Sequence, residues 1–147
     1  MIVGFAFKKI NISRKDTLSK GMKVKYNMDI SSISEENVSL STKQKVLALD
    51  FDFTVDYEPD AANLAISGTV NYMAAADEVK KTLDLWKESK KLPKDILILV
   101  TNVILDKCNV KALELEQDLN LPTHIPMPSV KVSGTEEGSK NAEQYIG

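Results

Sequence analysis

The chain has 147 residues, 43% apolar and 27% charged, enough for one domain that fills its own core without disulfides or metal. Its formal net charge is -2, with lysines interleaved among acids, so it lacks the basic surface that nucleic acid or an anionic membrane requires. The single cysteine, Cys108, excludes an internal disulfide and fits a reducing compartment.

At the start, Met1-Ile2-Val3-Gly4-Phe5-Ala6-Phe7-Lys8-Lys9 places its positive charge after the apolar run, the reverse of an export signal. With no apolar run approaching the roughly twenty residues of a membrane helix, the expected location is the cytoplasm, without membrane insertion. Phe5 and Phe7 keep one alternating phase and Ile10 and Ile12 the other, which predicts a first strand with a bulge or bend near Lys8-Lys9. Met22, Val24, Tyr26, Met28 and Ile30 then alternate with Lys23, Lys25, Asn27 and Asp29, the pattern of a strand with one buried face. The serine-rich piece from Ser31 to Lys45 reads as a long loop. Leu47, Leu49, Phe51, Phe53, Val55 and Tyr57 form the next strand face, opposed by Asp50, Asp52, Thr54 and Asp56. A turn is expected at Glu58-Pro59-Asp60, and Leu64, Ile66, Val70 and Tyr72 continue the alternation around Gly68. One wet face on each strand points to an antiparallel sheet.

Beyond Met73 the period becomes helical. Ala75 to Lys90 carries Val79, Leu83 and Trp86 on one side, with Asp77 and Glu78 near the positive end of the helix dipole. Pro93 suits the opening of a second helix, expected from Lys94 to about Asp118. The first half of that helix is apolar nearly all round. One sheet face cannot cover such a girth, so the excess predicts a subunit interface, drawn through Ile96, Leu99, Val100, Val103 and Ile104. Pro122, Pro126 and Pro128 forbid helix afterwards and favour an extended run against the body. The division expected is a domain over residues 1–130 and a disordered polar tail over 131–147.

Candidate chemistry is sparse. Asp50, Asp52, Asp56, Glu58 and Asp60 are the densest acidic group, conceivable as a cation site. Alternate strand positions spread such groups over about 20 Å, which favours a solvated face or a docking patch for a basic partner. His124 is the only histidine and reads as a loop residue; Cys108 reads as core packing. Gly134-Thr135-Glu136-Glu137-Gly138-Ser139-Lys140 has the wrong glycine spacing for a phosphate loop. Nothing pairs a nucleophile with a base, so the chain is expected to be non-enzymatic, without cofactor or metal. What remains is large apolar surface. Met22, Tyr26, Met28, Trp86 and Met127 are either plain core or the lining of an adaptable groove.

The order strand, strand, strand, strand, short helix, long helix, extended end resembles the SecB family of export chaperones. Three stretches carry the likeness: Phe5 to Ser13, Pro93-Lys94-Asp95-Ile96-Leu97, and Leu119-Asn120-Leu121-Pro122 with Ile125 and Pro126. The resemblance implies an α+β fold, a four-stranded antiparallel sheet with the two helices packed on one face. It also implies a homotetramer built as a dimer of dimers, and ATP-independent binding of unfolded polypeptide in apolar grooves. By position the groove would comprise Met22, Val24, Tyr26, Met28, Trp86, Leu121, Ile125 and Met127. Asp50, Asp52 and Asp56 would dock a partner, in the family an export motor. SecB-like proteins also stand beside toxin–antitoxin pairs, where the client is a labile antitoxin. The competing readings are a small apolar ligand carrier, a structural or adaptor subunit, and an unrecognised hydrolase.

Overall fold

The structure, a computed structural model, describes residues 1–15, 21–38 and 43–132. Strands β1 (Ile2–Arg14), β2 (Lys23–Glu36), β3 (Gln44–Glu58) and β4 (Ala62–Ala75) precede helices α1 (Ala76–Ser89) and α2 (Lys94–Asp118). The four strands make one antiparallel sheet in the order β1-β4-β3-β2, so β1 and β2 are its edges. This is the α+β architecture expected, with both helices over one sheet face. Among the described residues, no helix is long and apolar enough to cross a membrane.

Alternation decides which face is covered. Leu47, Leu49, Phe51, Phe53, Val55 and Tyr57 of β3 and Leu64, Ile66, Val70 and Tyr72 of β4 are buried beneath the helices. Asp52, Asp56 and Asn63 face solvent on the other side. Gly68 is required where Phe51 crosses β4, because a Cβ there would collide with the Ala6 carbonyl and stand 2.7 Å from the Phe51 ring. The phase change in β1 is a register shift between Phe7 and Lys9, which lets Phe5, Phe7, Ile10 and Ile12 all face the helix side.

The serine-rich stretch corrects the sequence reading. β2 does not end at Ile30 but continues to Glu36, through a second register shift between Ile30 and Ser32. That shift pairs Ile33 with Leu49 and returns it to the core side, while Ser32 turns to Asp50 on the wet face. Of the expected loop, residues 39–42 lie outside the described residues. So does the polar tail beyond Val132.

Helix α2 buries Ile96, Val100, Ile104, Cys108, Ala112 and Glu116, every fourth residue along its length. Each such step overshoots a full turn by about 40°, so the buried line winds round the helix. It leaves Leu97, Ile98 and Leu99 exposed at the N-terminal end and Val110 exposed further on. This corrects the interface drawn from sequence. Ile96, Val100 and Ile104, at 1% exposure or less, are spent on the chain's own core; only Leu99 and the half-buried Val103 keep surface to offer. Cys108 lies in the same core, and burial pushes its thiol up to about 12, leaving no thiolate for chemistry.

The end of α2 is closed by its own sequence. Asn120 adopts the left-handed conformation, φ 53°, its N–H donates to the Gln117 carbonyl and the Leu121 N–H to that of Glu116. This is a Schellman cap with asparagine at the left-handed position and proline just beyond. The helix has no basic residue in its last turn; Arg14 at the end of β1 supplies the cation, donating from Nη1 to the carbonyls of Leu119, 2.6 Å, and Asn120, 3.1 Å.

Candidate functional site

Two of the depressions beside the helices involve residues of the expected groove. The first, of about 400 Å³, runs along edge strand β2 beneath the α1–α2 corner and is lined by Met28, Ile30, Trp86, Leu92 and Leu97. Its position follows from the local structure. Met28 and Ile30 are the inward residues of β2, Trp86 sits in the last turn of α1, and Leu92 packs beneath the link between the helices. Lys90 caps α1 in the left-handed conformation, φ 56°, and its Nζ stands 5.6 Å from the centre of the Trp86 ring. Lys91 and the β2 strand where it passes Asp29, whose side chain alternates to the outer face, complete the rim.

The second depression, about 340 Å³, lies where the chain leaves α2 and is lined by Leu113, Gln117, Asn120, Leu121, Thr123 and Met127. The groove expected as one surface is therefore divided. Met28 and Trp86 come together in the first depression, Leu121 and Met127 in the second. Tyr26, 52% exposed, stands on β2 with its ring 5.6 Å from that of His124. Met22 and Val24 are half-buried against the core, and Ile125 is half-buried on the exit segment. Ile30, Leu92, Leu97 and the two lysines were not assigned to the groove from sequence, although Ile30 was read on the inward face of β2. The signal for Leu97 was its place one turn into α2, in the run Pro93-Lys94-Asp95-Ile96-Leu97.

His124 is no plain loop residue. It is buried, with its ring edge-to-face on Phe53 of β3. Its Nδ1 lies 2.5 Å from Oε1 of Glu116 and its Nε2 2.9 Å from Oδ1 of Asn109, while its backbone N–H donates to Glu116 Oε2 at 3.1 Å. Tyr57 donates to the Pro122 carbonyl at 2.7 Å; burial, with the charge of Glu116 nearby, raises its phenol well above the usual range. These groups clamp the exit segment to the sheet and to α2. Every buried side-chain polar atom among the described residues has a partner, so the cluster is a satisfied structural network. The four-residue rhythm of buried positions on α2 runs straight to Glu116, and that was the available clue.

The outer sheet face is a ladder of acids held by neighbours across the strands. Asp50 accepts from Thr69 and Ser32, Asp52 from Ser67 and Asp56 from Asn63. Burial pushes the Asp50 carboxyl up, but the hydrogen bonds from Thr69 and Ser32 and the Lys8 ammonium outweigh it and hold it below its usual value. Among the described residues no group of three or more His, Cys, Asp or Glu is placed to hold a metal ion.

No protein-family model matches the chain, and no curated protein sequence matches it. Among solved structures, the fold is similar to a SecB-like chaperone of Mycobacterium tuberculosis, captured in complex with a ChAD peptide from the HigA1 antitoxin. The superposition covers 90% of this chain and 91% of that one, with a TM-score of 0.54 and 8% sequence identity. At that identity the likeness establishes a shared, SecB-like fold.

Proposed function

We propose that this protein is an ATP-independent chaperone that holds unfolded or extended polypeptide, in the manner of the SecB-like proteins whose fold it shares. The observation that carries this reading is an open apolar trough beside an unpaired sheet edge. Met28, Ile30, Trp86, Leu92 and Leu97 form its floor and walls, and among the described residues β2 has no strand on its outer side. An extended client gains about 25 cal/mol for each Å² of apolar surface buried there, and its backbone pairs with the free edge of β2. Such a site binds the unfolded client and not the folded one, which delays folding by mass action without nucleotide. The depression near Leu121 and Met127 extends the contact, and copies of the chain multiply it through effective concentration. A labile antitoxin segment, the kind of ligand the structural neighbour holds, is one suitable client. The Asp50, Asp52 and Asp56 face is the surface a basic partner would meet.

A carrier of small apolar ligands needs an enclosed cavity; the two depressions are open along one side, which favours a chain-like ligand. The test is light scattering with a permanently unfolded polypeptide and with its folded counterpart, followed in parallel through Trp86 emission. Uptake of the unfolded form alone, with a shifted Trp86 spectrum, is the expected result. Equal indifference to both forms rejects the proposal.

A further inference from the structure

We propose that the β2 trough selects extended clients that carry a carboxylate two residues away from a large apolar side chain. This rests on the chaperone reading above and names the client class of that same site.

Two cations, Lys90 and Lys91, stand at the mouth of the trough. On the sheet Lys8 pairs with Asp50, Lys25 with Glu58 and Lys45 with Glu35, while Lys9 and Lys23 lie away from the apolar floor of the trough. Lys90 and Lys91, at the mouth of the trough, join no ion pair among the described residues. Lys90 is held there by two features: its left-handed backbone at the end of α1 and its ammonium over the Trp86 ring. An unpaired cation on an apolar floor is positioned to receive an anionic group on a client whose neighbouring side chain fills that floor.

Strand geometry converts this into a spacing. A client laid along the outer edge of β2 as an added strand alternates its side chains between the two sheet faces. Residues i and i+2 share the helix side, roughly 7 Å apart. With an aromatic or long aliphatic side chain at i seated against Met28, Ile30 and Trp86, a carboxylate at i+2 or i−2 stays on the side of Lys90 and Lys91. A carboxylate at i+1 falls on the opposite face. There Asp29 projects from β2, because its neighbours Met28 and Ile30 point inward, and it repels the added charge. The trough therefore discriminates by position as well as by sign.

The test uses three short, unstructured, labelled peptides with one central phenylalanine, differing only in glutamate at i+2, glutamate at i+1 or lysine at i+2. Affinities are read by fluorescence anisotropy on the full chain at low and at raised salt. Glutamate at i+2 is expected to bind about five-fold tighter than either alternative, with the advantage shrinking as salt screens it. A double variant, Lys90→Asn with Lys91→Gln, should erase the advantage, bringing the glutamate i+2 peptide to the affinity of the glutamate i+1 peptide. Asparagine tolerates the left-handed position, and circular dichroism checks that the fold is retained. Equal affinities, or preference for lysine at i+2, overturn the inference and leave the chaperone reading standing. Failure of all three peptides and of the unfolded polypeptide to bind rejects both.

Discussion

Glu116 has no exposed surface, and a carboxylate in that position is tolerable only because donors surround it. His124 supplies two of them, a ring nitrogen and a backbone N–H, and Tyr57 stands close by. Removing one partner of a buried pair strands the other, at a cost of about 3 kcal/mol or more, whereas replacing both by apolar side chains is often nearly neutral. Glu116→Leu and His124→Leu should therefore each lower the unfolding free energy by about 3 kcal/mol, and the double variant should lose much less than their sum. Urea denaturation of the four proteins checks this. Strict additivity would mean that the two side chains act independently and that the clamp is not a unit. The same cycle bears on function, since the clamp fixes the segment bearing Leu121 and Met127 beside the second depression.

At the scale of elements, strong periodicity was legible and weak or one-sided periodicity was not. The inward face of β3 and the span of α2 could be read directly, because each repeats one period over many residues. The bulge at Lys8-Lys9 was visible as a phase slip. The second half of β2 was hidden for a physical reason: an edge strand needs few apolar residues, and Ser31, Ser32 and Ser34 mask the single inward Ile33. The groove was half legible for a related reason. Met28 and Trp86 are large and stand out, but Lys90 and Lys91 acquire meaning only where the α1–α2 corner turns back over β2. The piece Leu119-Asn120-Leu121-Pro122, which carried a likeness in sequence, turns out to be a helix cap with a specific demand at Asn120. An ordinary side chain at a left-handed position costs about 1 kcal/mol or more, and glycine costs nothing sterically. Asn120→Gly should leave the thermal midpoint within a few degrees of the parent protein. Asn120→Val should lower it clearly, with the loss checked by calorimetry. Equal midpoints for the two would show that the cap does not contribute to stability.

For the whole molecule, the question is what covers the apolar surface that the fold leaves bare. Ile98, Leu99 and Val110 of α2 are between 42% and 59% exposed, and Val110 shares a trough with Phe7 of edge strand β1. One such residue is ordinary; the cluster Leu97, Ile98 and Leu99 at the start of α2 is more than that. We propose that further copies of this chain cover it, which would bring several troughs into one assembly. The winding of the buried line on α2 separates this surface sharply from the core, and so makes the idea testable with neighbouring residues. Leu99→Lys places an ammonium on the exposed cluster, where it stays hydrated in a free chain and is stranded only if another chain packs against it. Ile96→Lys places the same charge in the core, at a cost of several kcal/mol. Light scattering with circular dichroism should find Leu99→Lys folded but of lower mass than the parent protein, and Ile96→Lys unfolded. A parent protein that is already monomeric, or a Leu99→Lys variant of undiminished mass, would remove α2 from the interface. The client troughs would then have to act singly, without the gain from effective concentration.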